Sequence, residues 1–174
     1  MFKRLAVGRY LKLLVNSPDE VERIEAAKAL SLLRARFVRR KLRRLLAHPD
    51  AEVRKWAAYA LGFVGEKVDA VALSAIFADR SEAIDVRAHA GEALGHIGAA
   101  TAETRDVLIE GLSDPSPEVR FWGAFAVGNY GDAAAIPKLQ ELVETDKDTV
   151  PGWWSLKKEA ADAIEHIRQF PQGT

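Results

Sequence analysis

The sequence predicts an all-α solenoid, and three observations carry that prediction. Arg54, Arg87 and Arg120 lie 33 residues apart, as do Gly65, Gly98 and Gly131. In each copy of the motif, small and apolar residues recur at i, i+4, i+7, i+8 and i+11, the spacing of one helix face. Cap residues, Pro and Gly then interrupt the chain twice per period, so each unit is a pair of helices. Such a unit buries its apolar face only against its neighbours.

Taken in order, residues 1–16 read as a basic capping helix in which Leu5, Tyr10, Leu11, Leu13, Leu14 and Val15 mix with Lys3, Arg4, Arg9 and Lys12. Membrane binding is the alternative for such a helix. Residues 17–47 form a degenerate first repeat that opens on Ser17-Pro18-Asp19-Glu20, with Ser17 as the expected cap and Glu20 reaching back. Its second helix is the run Arg34 to Leu46. Residues 48–80, 81–113 and 114–146 are the regular repeats, opened by His48-Pro49-Asp50, Arg80-Ser81-Glu82 and Asp114-Pro115-Ser116-Pro117. Their core stripes are Val53, Ala57, Ala60, Leu61 and Val64; Val86, Ala90, Ala93, Leu94 and Ile97; and Val119, Gly123, Ala126, Val127 and Tyr130. Gly62, Gly95 and Gly128 each cost about 1 kcal/mol against Ala in a helix, so their recurrence implies close backbone approach. Gly65, Gly98 and Gly131 are expected as left-handed C-terminal residues. Second helices are expected over 68–77, 103–112 and 134–143. Residues 147–170 form a C-terminal capping repeat, shifted in register by an insertion around Trp153-Trp154.

A chain of 174 residues supports one domain with a sizeable core. It has no cysteine, which excludes disulfides and thiolate chemistry and fits a reducing cytosol. No apolar run approaches the roughly 20 residues of a membrane span, and Arg9 and Lys12 interrupt the stretch that would serve as a signal peptide. The zero formal charge conceals a bipolar molecule. Residues 1–60 hold 15 Lys/Arg against 6 Asp/Glu, and residues 61–174 hold 10 against 19.

The pattern Glu-Val-Arg-x-x-Ala-x-x-Ala-Leu-Gly-x-x-Gly, preceded by Asp-Pro or His-Pro-Asp, resembles the HEAT-like repeat of the phycobilisome-lyase type. The resemblance covers residues 48–145 well and their flanks loosely. It implies a right-handed superhelix of about five helix-pair repeats, roughly ten helices, with the second helices lining the concave side. That family consists mostly of adaptors and scaffolds. Its enzymatic relative deoxyhypusine hydroxylase carries a His-Glu pair just after the Arg. Here those positions hold Ile24-Glu25, Lys55-Trp56, Ala88-His89 and Phe121-Trp122, so the resemblance argues against di-iron chemistry. No motif carries over the activity of the chromophore-lyase subunits.

Three constellations are candidates for function. The residues three, six and ten positions after each motif Val point about 115° from the core centre. They are Trp56, Tyr59 and Phe63; His89, Glu92 and His96; and Trp122, Phe125 and Asn129. Stacked along the array they form a band, which is a binding surface if exposed and padding between helices if covered. Glu25 and Lys28 in the first repeat, and Glu159 and Asp162 in the last, stand at the same positions and favour a local site. His89, Glu92 and His96 also share a helix face as a conceivable zinc or iron set. The two histidines are about 10 Å apart along the axis, so solvated polar residues are the better account and no metal or other cofactor is assigned. Finally, residues 34–46 carry seven cations and no acid, with Arg36, Arg39, Arg40, Arg43 and Arg44 on one expected solvent face. Like charges repel, which implies an anionic partner. Nucleic acid is disfavoured because the later second helices carry Glu103, Asp106, Glu110, Glu141 and Glu144. Trp153-Trp154 is either a lid on the last repeat or an anchor.

No catalytic triad, phosphate loop or paired carboxylates in an apolar setting is discernible. The expected function is a non-enzymatic adaptor, bacterial and cytoplasmic. It binds a protein or peptide across the band while the arginines steer an acidic segment. Head-to-tail association of the basic part of one copy with the acidic part of another is a further partner reading. A metal-dependent enzyme or lyase subunit, and a nucleic-acid binder acting through the basic third, stand as alternatives.

Overall fold

The computed structural model describes residues 2–33, 36–98 and 101–170; the side chains of residues 2–4 and 36 lie outside that description. Among these residues the chain forms ten α-helices: α1 (Phe2–Asn16), α2 (Glu20–Leu32), α3 (Arg36–Leu45), α4 (Ala51–Val64), α5 (Lys67–Ala78), α6 (Ile84–Ile97), α7 (Ala102–Gly111), α8 (Pro117–Tyr130), α9 (Ile136–Thr145) and α10 (Leu156–Gln169). A 3₁₀ turn, Ala133–Ala135, runs into α9. Arg34 and Ala35, expected at the start of α3, fall outside the described residues.

The chain is an α-solenoid of two helix layers. Helices α2, α4, α6, α8 and α10 pack side by side in sequence and form the first layer. In the second layer α3, α5, α7 and α9 lie mainly on α4, α6, α8 and α10, so each second helix rests on the first helix of the following unit. Helix α1 packs on α2 in the same manner. The core stripes read from the sequence are buried, with Val64 and Ile97 only partly so.

Side-chain caps explain most helix starts. Asp50 accepts from the Glu52 amide, Thr101 from Thr104, Ser116 from Val119 and Ser155 from Lys158. Two expectations need correction. Asp19, not Ser17, caps α2 by accepting from the Val21 amide, and the Ser17 hydroxyl donates to Glu22 instead. Helix α6 begins at Ile84 without a side-chain cap, because the cap position holds Ala83, which has no side-chain acceptor, and the Ser81 hydroxyl donates to Asp79 instead.

The recurrent glycines mark where first-layer helices touch. A Cβ on Gly62 would lie 2.8 Å from Ala93 Cα, and one on Gly128 would lie 3.0 Å from Ala163 Cα. Gly98 and Gly131 are left-handed, with φ of 62° and 68°. Gly65 is not: its φ is −67°. It ends α4 in an extended conformation, and what crowds out a side chain there is first the Leu61 carbonyl oxygen, 2.5 Å from a Cβ, and then Ile97 Cδ1 at 2.9 Å. Phe77 is wedged among α6, α7 and α8, in a nest that Gly91, Gly111 and Gly123 leave open.

The periodic arginines lace consecutive units together. Arg23 binds Asp50 at 2.9 Å, Arg54 binds Glu82 at 2.6 Å and Arg87 binds Asp114 at 2.5 Å, while Arg120 binds Asp146 at the end of its own unit at 2.9 Å and Asp148 in the next at 2.5 Å. Each arginine also donates to a preceding backbone carbonyl: Ser17, His48 and Asp114 close to the start of its own helix for Arg23, Arg54 and Arg120, and Phe77 in the last turn of α5 for Arg87. One guanidinium thus satisfies a turn and ties it to the next turn. The Arg23 hydrogen bond holds the Asp50 carboxyl below its ordinary range, and the Arg54 hydrogen bond does the same for Glu82. For Asp114, burial pushes upward, but hydrogen bonds from Arg87 and the Ser116 amide, with the charges of Arg87 and Arg80, outweigh it.

Candidate docking surface on the first helix layer

The first-layer helices are flanked by neighbours on two sides and by the second layer on a third, which leaves one outer strip to solvent. On α4 that strip carries Trp56, Tyr59 and Phe63; on α6, His89, Glu92 and His96; on α8, Trp122, Phe125 and Asn129. The sequence-derived band therefore exists, and its rings touch without a break. Centroid separations are 5.4 Å for Trp56–His89, 5.9 Å for Trp56–Tyr59, 5.2 Å for Tyr59–Phe63 and 4.6 Å for Phe63–His96. The path continues through His96–Phe125 at 5.4 Å, Phe125–Trp122 at 5.4 Å, Trp122–Trp153 at 5.0 Å and Trp153–Trp154 at 5.6 Å. Tyr59–Phe63 and Phe63–His96 are tilted and the other pairs edge-to-face; an edge-to-face aromatic pair contributes about 0.5–1.5 kcal/mol beyond burial.

Exposure divides the band into a base and a crest. Trp56 and Trp122 retain only 8% and 7% exposure, and Glu92 is also buried, so these three are footings between helices. Tyr59, His89, Phe125 and Asn129 are half-buried. The rings at the surface are Phe63, Trp153 and Trp154, at 40%, 47% and 44%, together with His96. Trp153 and Trp154 extend the band past α8: both lie over Phe121, and Trp153 also packs on Trp122. Their adjacency to the band was not readable in the sequence, because the insertion breaks the 33-residue register.

The His/Glu cluster is engaged within its own helix. His89 Nδ1 donates to the Asp85 carbonyl at 2.8 Å, and His96 Nε2 stands 3.7 Å from Glu92. Among the described residues no group of three or more His, Cys, Asp or Glu side chains is gathered to hold a metal. Lys55, beside Trp56, is buried; its ammonium lies 2.8 Å from Glu52 and 4.8 Å from the Trp56 ring centroid.

The basic run does not sit on this face. It lies on α3 in the second layer, on the far side of α4 from the outer strip. Nor do its five arginines act as one set. Arg39 pairs with Glu66 and Asp69, and Arg43 pairs with Asp69 at 2.5 Å. Asp69 is fully buried and also accepts from the Glu66 amide at the start of α5. This internal neutralisation corrects the expectation of one like-charged face. Arg40, Lys41 and Arg44 are exposed and have no ion-pair partner among the described residues; the Arg36 side chain lies outside them. Among the described residues no helix is long and apolar enough to cross a membrane.

The HEAT-repeat family profile matches residues 9–85 and 77–163. Among solved structures, the CpcE–CpcF complex of phycocyanin lyase from Nostoc is similar over 94% of this chain and 98% of that one, with a TM-score of 0.73 and 14% identity. An engineered protein aligns over 94% of this chain and 79% of its own at 26% identity and a TM-score of 0.56. A computationally designed armadillo repeat protein for modular peptide recognition covers 95% and 83% at 20% identity, with a TM-score of 0.58. No curated protein matches the chain.

Proposed function

The chain belongs to the HEAT-repeat family, and from that premise we propose that it is a non-enzymatic scaffold that docks a protein or peptide partner on its outer aromatic ladder. The supporting observation is the unbroken ring path from Trp56 to Trp154 with three rings more than a third exposed at its crest. Exposed aromatic residues on a rigid, packed base form the anchor type that dominates binding energy in interfaces, since little side-chain entropy is lost on binding. The peptide-recognition purpose of the designed armadillo relative is in keeping with this reading. A cytoplasmic setting in a bacterium belongs to the same proposal and fits a chain without cysteine.

Arg40, Lys41 and Arg44 carry a second, separate contact. Three exposed cations with no ion-pair partner among the described residues favour an acidic segment, held by salt-sensitive attraction. Because they face away from the ladder, they act on another part of the partner. The acidic second-layer helix α7 of another copy, with Glu103, Asp106 and Glu110, is one such segment.

The test compares native-lysate captures by the wild-type chain and by Phe63→Ala/Trp153→Ala, with thermal melting as the folding control. Loss of specific proteins from the variant at unchanged melting supports the docking face. Identical captures would reject it. Sedimentation at low and high salt, with wild type against Arg40→Glu/Arg44→Glu, tests self-association separately.

A further inference from the structure

We propose that the cavity between α8 and α10 is a socket for a cationic side chain, an arginine guanidinium or lysine ammonium, presented by the docking partner. The proposal rests on the ladder being a docking surface and adds the chemistry selected at its C-terminal end. The band positions that carry Trp56, Tyr59 and Phe63 on α4, and Trp122, Phe125 and Asn129 on α8, carry Glu159, Asp162 and His166 on α10. The outer face thus changes there from aromatic to acidic, and the change coincides with a cavity of about 210 Å³. Phe125 and Trp154 supply aromatic walls, Glu159 and Asp162 supply carboxylates, Asn129 and His166 add polar groups, and Gly128 and Ala163 form the rest of the lining. This volume lies below the roughly 300–1,000 Å³ of small-molecule sites and suits one side chain.

The socket is short of positive charge. Glu159 is 95% buried by its 5% exposure, and its hydrogen bond is to a neutral donor, Trp154 Nε1, at 2.7 Å. A carboxylate withdrawn from water needs more compensation than one indole N–H. Burial accordingly raises the Glu159 pKa; the Trp154 bond lowers it, Asp162 raises it further and Lys158 lowers it. Lys158 is committed to Asp162 at 2.5 Å and stays at the surface, with its ammonium 5.3 Å from the Trp154 ring centroid. That contact marks the indole as a surface on which a cation rests. A guanidinium entering between Phe125 and Trp154 stacks on a ring and meets the carboxylate of Glu159, two attractions that a neutral side chain lacks.

The test is an NMR titration of the ¹⁵N-labelled full chain with N-acetyl-arginine amide and with its neutral isostere, N-acetyl-citrulline amide. The arginine probe should shift the amides of residues 125–129 and 159–166 and the Trp154 indole N–H, with the citrulline probe about tenfold weaker. Glu159→Gln should weaken the arginine probe by a similar factor while its amide oxygen still accepts from Trp154. Asp162→Asn, at the surface, should weaken it without touching the fold. Equal response to both probes, shifts that map elsewhere, or no saturable shift would overturn the socket. Phe63→Ala should leave this titration unchanged. A failed socket with intact Phe63-dependent capture therefore removes the cation and keeps the docking face.

Discussion

Two ladders run the length of this solenoid, and they differ in what their members touch. The arginines at positions 23, 54, 87 and 120 and the aromatic residues from Trp56 to Trp154 are both periodic, and either could be taken for a binding motif. Each arginine is occupied by a carboxylate of the next unit, Asp148 in the case of Arg120, and by a backbone carbonyl that precedes its own helix. The aromatic ladder is closed below, at Trp56 and Trp122, and open above, at Phe63 and Trp153. Recurrence therefore reports that a position matters to every unit, and only the partner of the side chain tells whether it matters to packing or to recognition.

The sharpest break of this comparison is Asp114→Ala. Arg87 and Asp114 have side-chain exposures of 6% and 3%. Removing the acid strands a buried guanidinium, at about 3–5 kcal/mol. Arg23→Ala, in a rung whose acid is 40% exposed, should cost about 1 kcal/mol or less. Urea unfolding of both variants decides; equal losses would refute the distinction between buried and open rungs.

Gly62→Val comes next, at about 1–3 kcal/mol, because the added carbon meets the α6 backbone at Ala93. Wild-type-like unfolding would mean that α4 and α6 can part at no cost. The aromatic crest should behave in the opposite sense. Phe63→Ala/Trp153→Ala should cost the fold only about 1 kcal/mol and weaken a captured partner by about 2 kcal/mol or more, read by melting and by calorimetry with that partner.

Acid sharpens the comparison further. The carboxyls of Asp50, Glu82 and Asp114 are all lowered by folding. Their stabilisation is fully present above the ordinary carboxylate range, about 4, and is lost as pH falls through the lowered folded values. Unfolding free energy should fall on acidification below that range, and the slope should flatten in Asp114→Ala; an unchanged slope would show that the rung does not titrate. The smallest stability effect belongs to Arg40→Glu/Arg44→Glu, within about ±0.5 kcal/mol. Any acidic partner should nonetheless lose affinity at low salt. A large loss of stability would reveal internal partners for these cations.

By itself the sequence determined the helix pairs, their period, the core stripes and the band, because helical spacing and neighbour-only burial leave a direct imprint on residue order. Gly62, Gly95 and Gly128 announced close approach for the same reason. Pairing between units was written less openly. Asp50, Glu82, Asp114 and Asp146 recur in step with the arginines, but a carboxylate at a turn reads first as a cap. Tertiary structure alone decided that Asp69 would absorb Arg39 and Arg43, that the remaining cations would face away from the aromatic ladder, and that Trp153 would extend the ladder across a break in register. Those outcomes depend on which surfaces stacking brings together and which it turns outward. Helical periodicity fixes a direction about one axis only, so it cannot specify the far side of a neighbour.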